Sequence, residues 1–356
     1  MLHRAGICMR VASCALLVLV GVLALGEDGI ARTTPDSKPF TFEGSIEMPE
    51  VPSGPYSDYL ATDVPGGRLF ATPQADHAVA VFDVRASKLL AMVHGIGNPH
   101  GIFYSPETHR LFVDDGDAGV VKVFDGANFE LVKTISVTSG ADSLSYDPST
   151  RLLYVNSGGK DAGLDHSFVS VIDTATLAKV ADIQIDGLVL EASVIDPATH
   201  RLYLNVEDQN SVAILDLKTR TVVGSWPIQH SHRNMALAFD AEHQRLYVGC
   251  RDGDMRGSIA ILDSNSGREL DTLPVGGWVD SIYYDAKRQR IYASAGIGQL
   301  ETYQVLPDSK YRKLDSMDTA VMAKTSIYSP DLDRMFVSVP HLGSTPAKIL
   351  VFKPTP

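Results

Sequence analysis

Short runs of alternating apolar and polar residues fill the chain from residue 40 onward, separated by Asp, Pro and Gly. One phrase recurs within these runs: an arginine, then one or two apolar residues, then an aromatic residue. It begins seven times, at intervals of 41 to 50 residues, at Arg68, Arg110, Arg151, Arg201, Arg245, Arg290 and Arg334. Such a period indicates a repeat architecture in which each unit is one small supersecondary structure.

Each repeat contains four strand-like runs. In the second repeat the first run ends in a turn at 104–107, the second is the arginine phrase, the third is Val120–Asp125 and the fourth is 130–135. Alternation with a period of two and frequent β-branched residues predict strands. A period of roughly 40–45 residues with four strands is typical of propeller blades. The sequence therefore predicts an all-β fold, a seven-bladed β-propeller with four antiparallel strands in each blade.

The number of strands also predicts how the ring closes. Residues 40–48 resemble a fourth strand that no first three precede, whereas the last repeat ends near Phe352 after three strands. The N-terminal strand should therefore complete the last blade. Closure of this kind removes the open sheet edges that would otherwise pair with other chains.

The N-terminal segment has the pattern of an export signal. Arg4 and Arg10 precede an uncharged apolar run of 16 residues at 11–26, which small residues end. We predict a signal peptide at 1–26, a flexible spacer at 27–39 and a single propeller domain at 40–356. The run is shorter than the roughly 20 residues that span a bilayer, so an uncleaved anchor is the second interpretation.

Composition and charge narrow the class of protein. The chain has 356 residues and a net charge of −12, which disfavours nucleic-acid partners because an acidic surface repels phosphate. After removal of the signal, Cys250 is the one remaining cysteine, so the mature chain cannot form an internal disulfide. We expect an exported bacterial protein, periplasmic or extracellular, that is monomeric and has no membrane span in its mature form.

The second and third strand-like runs of the third repeat carry a family resemblance. The segment Leu153-Tyr154-Val155-Asn156-Ser157, followed by 169–174, resembles the YVTN repeat of YncE-like bacterial propellers. The other repeats match less closely but keep the same frame. The resemblance implies a seven-bladed fold and export, and leaves the activity open. More distantly, the outline is similar to seven-bladed lactonases, muconate cycloisomerase-type enzymes and streptogramin lyases.

A candidate site emerges where the repeats differ from one another. The residue five positions before the end of each first run is ionisable in six of the seven repeats: Asp58, His100, Asp142, Glu191, Met235, Asp280 and Lys324. The first strand of a propeller blade lines the central channel, so these side chains should form one ring at the channel mouth. Arg233 and Asn234, which directly precede Met235, should lie beside this ring.

The chemistry of this ring leaves several roles open. Carboxylates and imidazole are ligands for a divalent metal ion, and crowded carboxylates raise one another's pKa, which suits acid–base work. His100 and Glu191 are the candidate catalytic residues, and Arg233 and Lys324 could pair with a ligand carboxylate. The alternative is a water-filled channel whose polar lining binds solvent.

A second histidine pair lies in the loop before the fifth inner strand. His230 and His232 would point the same way in an extended segment, and together with His100 and Glu191 they are the candidate metal ligands. Two exposed loop histidines without a metal is the alternative. An insertion at 158–166 makes the longest loop between second and third strands and is a candidate rim element.

Three functions are compatible with these features. The leading one is an exported binding or scaffold protein that holds a small ligand, a metal ion or a partner protein at the channel mouth. The second is a metal-assisted lyase, lactonase or cycloisomerase-type enzyme that uses the same acidic mouth, with His100 as the base. The third is a purely structural surface protein. The sequence has no nucleophile elbow, phosphate loop or haem motif, and whether it is an enzyme stays undecided.

Overall fold

The computed structural model describes residues 38–48 and 57–356. The predicted signal peptide and residues 27–37 of the predicted spacer lie outside these residues. Within the described part, no helix is long and apolar enough to cross a bilayer. The described chain forms seven antiparallel sheets, which confirms the predicted all-β, seven-bladed propeller.

The first three sheets, numbered as blades 1 to 3, follow one another along the chain. Blade 1 contains β2 (Ser57–Asp63), β3 (Arg68–Pro73), β4 (Ala78–Asp83) and β5 (Lys88–His94), with a 3-10 turn at Gln74–Asp76. Blade 2 contains β6 (Pro99–Ser105), β7 (Arg110–Asp115), β8 (Val120–Asp125) and β9 (Leu131–Ser136). Blade 3 contains β10 (Ala141–Asp147), β11 (Leu152–Ser157), β12 (Ser167–Asp173) and β13 (Ala178–Ile185), with helix α1 (Gly159–Ala162) in the predicted insertion.

Blades 4 to 7 complete the ring. Blade 4 contains β14 (Leu190–Asp196), β15 (Arg201–Val206), β16 (Ser211–Asp216) and β17 (Thr221–Pro227). Blade 5 contains β18 (Asn234–Asp240), β19 (Arg245–Cys250), β20 (Arg256–Asp263) and β21 (Glu269–Gly276). Blade 6 contains β22 (Val279–Asp285), β23 (Arg290–Ala295), β24 (Gln299–Val305) and β25 (Tyr311–Lys313), and β26 (Met317–Asp318) also pairs with β24. Blade 7 contains β27 (Ser326–Ser329), β28 (Arg334–Val339), β29 (Lys348–Pro354) and, from the other end of the chain, β1 (Phe40–Glu47).

Strand β1 closes the ring as the sequence predicts. It pairs antiparallel with β29, and the register runs from Phe40 opposite Pro354 to Glu47 opposite Lys348. The first strands of all seven blades contact their neighbours in order, and the first strand of blade 1 contacts that of blade 7. The inner strands therefore surround a common axis.

The aromatic residue of each repeat phrase packs between adjacent blades. All seven are at most 1% exposed: Phe70, Phe112, Tyr154, Tyr203, Tyr247, Tyr292 and Phe336. In blade 5, Tyr247 packs with Ile282 and Ile291 of blade 6. Each such cluster draws on two blades, so the apolar core lies between the sheets and fixes their spacing.

The repeat also contains a turn-forming aspartate at the end of its third strand. The aspartate that ends the third strand accepts hydrogen bonds from the backbone N–H groups two and three residues later, in Asp83, Asp125, Asp173, Asp216 and Asp263. Two of the repeat arginines, Arg110 and Arg245, pair with the same aspartates. These repeated hydrogen bonds and ion pairs stabilise the turns after the third strands, so the repeated aspartates and arginines are structural.

Phe40 offers a direct test of ring closure. It is 1% exposed and its ring centroid lies 4.7 Å from that of Tyr292 in blade 6. We expect Phe40→Ala to lower the free energy of unfolding by about 3–5 kcal/mol, because it opens a cavity at the closure. Phe42→Ala in the same strand is the control, since Phe42 is 52% exposed. Equal shifts of the urea unfolding midpoint in the two variants would contradict a closure that depends on β1.

Candidate functional site

The ring residues share one backbone feature. In six blades the candidate residue is the second residue of the inner strand, and the pairing register of that strand with its neighbour shifts across this position. A bulge leaves its residue outside the regular ladder and redirects the side chain. The bulges therefore allow polar side chains to turn toward the axis without breaking the rest of each sheet.

These side chains line a single axial cavity with a volume of about 630 Å³. The structure brings together all six ionisable residues of the predicted ring: Asp58, His100, Asp142, Glu191, Asp280 and Lys324. Met235 of blade 5 lines the same cavity. The predicted convergence is thus present in the structure, and a binding or catalytic role for these residues stays a prediction.

Blades 1 to 3 contribute an acid–base–acid arrangement. Nδ1 of His100 lies 2.6 Å from Oδ2 of Asp58 and 3.3 Å from Oδ1 of Asp142. Nε2 of Gln74 lies 2.9 Å from the same ring nitrogen. Burial opposes the charge of His100, but its contacts with Asp142 and Asp58 outweigh burial and raise the pKa of His100 to about 11.

Blades 5 to 7 contribute the opposite arrangement, base–acid–base. The carboxylate of Asp280 accepts hydrogen bonds from both Arg251 and Lys324. Nε of Arg251 also donates to the carbonyl oxygen of Val279 at 3.2 Å. The guanidinium lies over the ring of Trp278, 5.5 Å from its centroid. The cavity therefore has an acidic side and a basic side.

Sequence reasoning missed Arg251 and Gln74. Both occupy the same place in the repeat, six residues after the repeat arginine, where the chain leaves the second strand. This position is Gly116 in blade 2, Gly296 in blade 6 and Glu207 in blade 4, so a comparison of the repeats at this step gives three long polar side chains, of which Gln74 and Arg251 line the cavity. The predicted ring draws on first strands, whereas these two residues reach the cavity from the ends of second strands.

Glu191 of blade 4 lies between the two charged groups. Its carboxylate has no hydrogen bond or ion pair with the described residues. Burial raises the pKa of Glu191 well above its usual range, and the charges of Asp142 and Asp280 raise it further. Glu191 therefore stays protonated above the pH at which an exposed glutamate ionises.

A buried carboxylate lies behind the acidic side. Oδ1 of Asp114 accepts a hydrogen bond from the backbone N–H of His100 at 3.2 Å, whereas its Oδ2 has no partner among the described residues. Burial raises the pKa of Asp114 well above its usual range. This hydrogen bond holds the backbone of β6 where His100 projects into the cavity.

Two of the predicted ligand-binding residues lie outside the cavity lining. The side chain of Arg233 is 54% exposed and pairs with Glu207 at 3.1 Å. Asn234 is fully buried and donates to Oδ1 of Asn205 and to the carbonyl oxygen of Ser211. Asn234 thus joins blades 4 and 5, because it faces the opposite side of the strand from Met235.

The predicted histidine pair also lies elsewhere. His230 and His232 line a separate surface pocket with Asp252 and Arg256, and His230 lies 3.2 Å from Glu269. Within residues 38–48 and 57–356, the convergent group of three potential metal ligands is Asp58, His100 and Asp142. The predicted metal ligands His230, His232 and Glu191 do not belong to this group.

Helix α1 brings the predicted rim insertion next to this group. Asp161 of α1 lines a pocket of about 440 Å³ together with His100, Asn98 and Asp117. His100 therefore borders both the axial cavity and a smaller acidic pocket at the junction of blades 2 and 3.

The pKa of Glu191 generates a pH-dependent expectation for the metal-free protein. A raised folded-state pKa means that the wild type loses stability as the pH rises from the unfolded pKa toward the folded one. We expect Glu191→Gln to match the wild-type melting temperature near about pH 4 and to exceed it increasingly toward about pH 8. The measurement is thermal unfolding in EDTA, with exposed Glu107→Gln as control. A difference that does not vary with pH would contradict the raised pKa.

Comparisons with known proteins support the fold and a local sequence likeness. No family model matches the chain. The chain is 29% identical over 97 residues to the uncharacterized protein YncE of Salmonella typhi, and 28% identical over 97 residues to that of Salmonella typhimurium strain LT2. Each match covers 27% of this chain and 27% of the relative, so most of the relatives' length is unmatched.

Solved structures match over far more of the chain. Kuenenia stuttgartiensis hydrazine synthase gives a TM-score of 0.70 at 17% identity, over 83% of this chain and 95% of that chain. A chain of the mitotic checkpoint complex gives 0.72 at 16% identity, over 94% and 98%. At these identities the likeness concerns the fold alone. The chain is thus a seven-bladed propeller with a local resemblance to YncE.

Proposed function

We propose that this protein is a metal-dependent binding protein whose axial cavity holds a divalent cation between Asp58, His100 and Asp142. Propeller folds commonly serve binding or scaffolding. The observation that supports a metal is the convergence of one imidazole and two carboxylates, whose ligand atoms lie within 4.8 Å of one another. The cation in turn would help to hold a small ligand in the cavity.

The geometry of the three side chains is compatible with a shared ion. Ligand atoms bound about 2.1 Å from one ion lie roughly 3–3.5 Å apart, and Nδ1 of His100 lies 3.3 Å from Asp142. Its 2.6 Å contact with Asp58 is a hydrogen bond, which a bound ion would replace by a longer separation. Two carboxylates and a polar amide crowd this one nitrogen, which has a single proton or lone pair to share. A cation would satisfy the nitrogen and both carboxylates at once.

The ligand set favours a transition ion. Imidazole with two carboxylates suits zinc or manganese better than calcium, which takes six to eight oxygen ligands. The hydrogen bond from the backbone of His100 to Asp114 anchors the ligand from behind, as supporting groups do in metal sites. The cavity volume of about 630 Å³ leaves room for a small molecule beside the ion.

Export and a monomeric state belong to the same proposal. The charge and length pattern of residues 1–26 supports secretion, with the spacer at 27–39 preceding the propeller domain. An exported monomer with an open axial cavity would meet its ligand in the periplasm or outside the cell.

Metal titration tests the proposal. We expect the EDTA-treated protein to bind about one Zn²⁺ or Mn²⁺ per chain, and the bound ion to raise the melting temperature because it stabilises the folded state alone. His100→Ala and the near-isosteric Asp142→Asn should each lose the ion. The double variant His230→Ala, His232→Ala should keep it. Calorimetry, elemental analysis and circular dichroism provide the readouts.

Two results would overturn the metal site. One is a folded wild-type protein that neither binds nor responds to either ion. The other is loss of binding in the His230, His232 variant together with retention in Asp142→Asn, because it would place the ion in the surface pocket.

Glu191 supports a second candidate, the metal-assisted enzyme. A protonated carboxyl group facing a cavity beside a metal site can act as a general acid. In this arrangement Nδ1 of His100 is a ligand of the ion, so it is not available for the base role predicted from the sequence. In this alternative Glu191 takes the acid–base role.

The enzyme alternative has its own test. We expect Glu191→Gln to abolish hydrolysis of γ-butyrolactone or a related lactone while the metal content stays at the wild-type level, since Gln cannot transfer a proton. Proton release in a weakly buffered indicator assay measures the reaction. Absence of lactone hydrolysis by the metal-loaded wild type, or full activity of the variant, would reject this lactonase candidate.

A further inference from the structure

We infer that Arg251, stacked on Trp278 at the basic side of the axial cavity, binds the carboxylate of a small organic acid. The inference rests on the proposed binding function of this cavity and adds the chemical class of its ligand. It assigns the acidic side to a cation and the basic side to the anionic group of the ligand.

The hydrogen bonding of Arg251 supports this assignment. The residue is 8% exposed, its Nε donates to the carbonyl oxygen of Val279, and its Nη2 donates to Asp280. Its Nη1 makes no hydrogen bond to any described residue, although the residue lines the cavity. A guanidinium has five N–H donors, so the two on Nη1 are available to a ligand in the cavity. A ligand oxygen in the cavity would accept from Nη1.

The charges around Arg251 support an anion at the same place. Arg251 and Lys324 are 8% and 2% exposed, and both donate to the carboxylate of Asp280. Glu191 lines the same cavity and makes no hydrogen bond to Arg251. A ligand carboxylate would add an ion pair to the guanidinium of Arg251.

Trp278 fixes the orientation of the guanidinium. It lies directly before β22 with a positive φ of 60°, a backbone conformation that bulky residues adopt rarely. A Cβ atom on Gly296 would lie 2.7 Å from Cβ of Trp278, so the absence of a side chain at 296 makes room for the indole. Stacking on an aromatic face holds the planar fork of arginine for paired hydrogen bonds.

The surroundings favour a carboxylate over a phosphate. Arginine binds both groups through two parallel hydrogen bonds. The same cavity contains Asp58, Asp142 and Asp280, whose negative charges repel a dianion more strongly than a monoanion. A monocarboxylate therefore suits this cavity better than a dianion does.

The experiment compares carboxylates with their uncharged amides. Glycolate, lactate, phenylacetate and indole-3-acetate, each beside its amide, and inorganic phosphate are titrated into the protein by calorimetry. We expect at least one carboxylate to bind with a dissociation constant of about 1 mM or lower, and its amide to bind at least about tenfold more weakly.

Two substitutions locate the binding group. Arg251→Gln should weaken carboxylate binding at least about tenfold, whereas Arg220→Gln, at an exposed turn of blade 4, should leave it within about twofold. Arg251→Lys keeps the charge but loses the planar fork, so it should also weaken binding while the protein stays folded. This second variant keeps the test decisive if Arg251→Gln does not fold.

The outcomes separate this inference from the metal proposal. Each titration is done with EDTA-treated and with Zn²⁺-loaded protein, and carboxylate binding that depends on Arg251 supports the inference whether or not the ion binds. Failure of every carboxylate in both forms, equal binding of an amide, binding of phosphate alone, or equal losses in Arg220→Gln and Arg251→Gln would overturn it.

Discussion

The pairing of β1 with β29 is the constraint on which the cavity depends. It joins residues more than 300 positions apart, and the hydroxyl of Thr355 donates to the carbonyl oxygen of Lys38 just beyond the two strands. Because they complete the outer edge of blade 7, they hold that blade against blade 1 and close the circle of inner strands. Lys324 from blade 7 and Asp58 from blade 1 can share one cavity only in a closed ring. Long-range pairing of this kind is slow to form, and here it covers the outer edge of β29.

The same architecture explains why charged residues are tolerated near the middle of the molecule. The buried aromatic residues of the repeat phrases fill the space between blades, so the apolar core is distributed around the ring. The axis is therefore open to polar side chains. In six of the seven blades, a bulge in the inner strand then turns one residue toward that axis. Polar groups that would be costly in a core share a cavity in which they meet partners from neighbouring blades. The apolar core and the polar cavity therefore lie in different parts of each blade.

Charge is ordered around the ring rather than mixed. His100 lies between two acids in blades 1 to 3, Asp280 lies between two bases in blades 5 to 7, and Glu191 separates the groups in blade 4. Opposite charges at the two sides of one cavity favour a ligand, or an ion with a ligand, whose charge is similarly divided.

The sequence alone determined the number of blades, the closing strand and the place of six cavity residues, because the repeat period and strand alternation are local properties that each copy restates. Tertiary structure decided which neighbours completed the site. Arg251 reaches the cavity from the end of a second strand. The side chain of Asn234 lies between blades 4 and 5, although the next residue, Met235, lines the cavity. In a strand, one residue of displacement exchanges the two faces, so proximity in the chain could not distinguish cavity, interface and surface. The partners of each charge likewise depend on adjacent blades, which only the closed ring brings into contact.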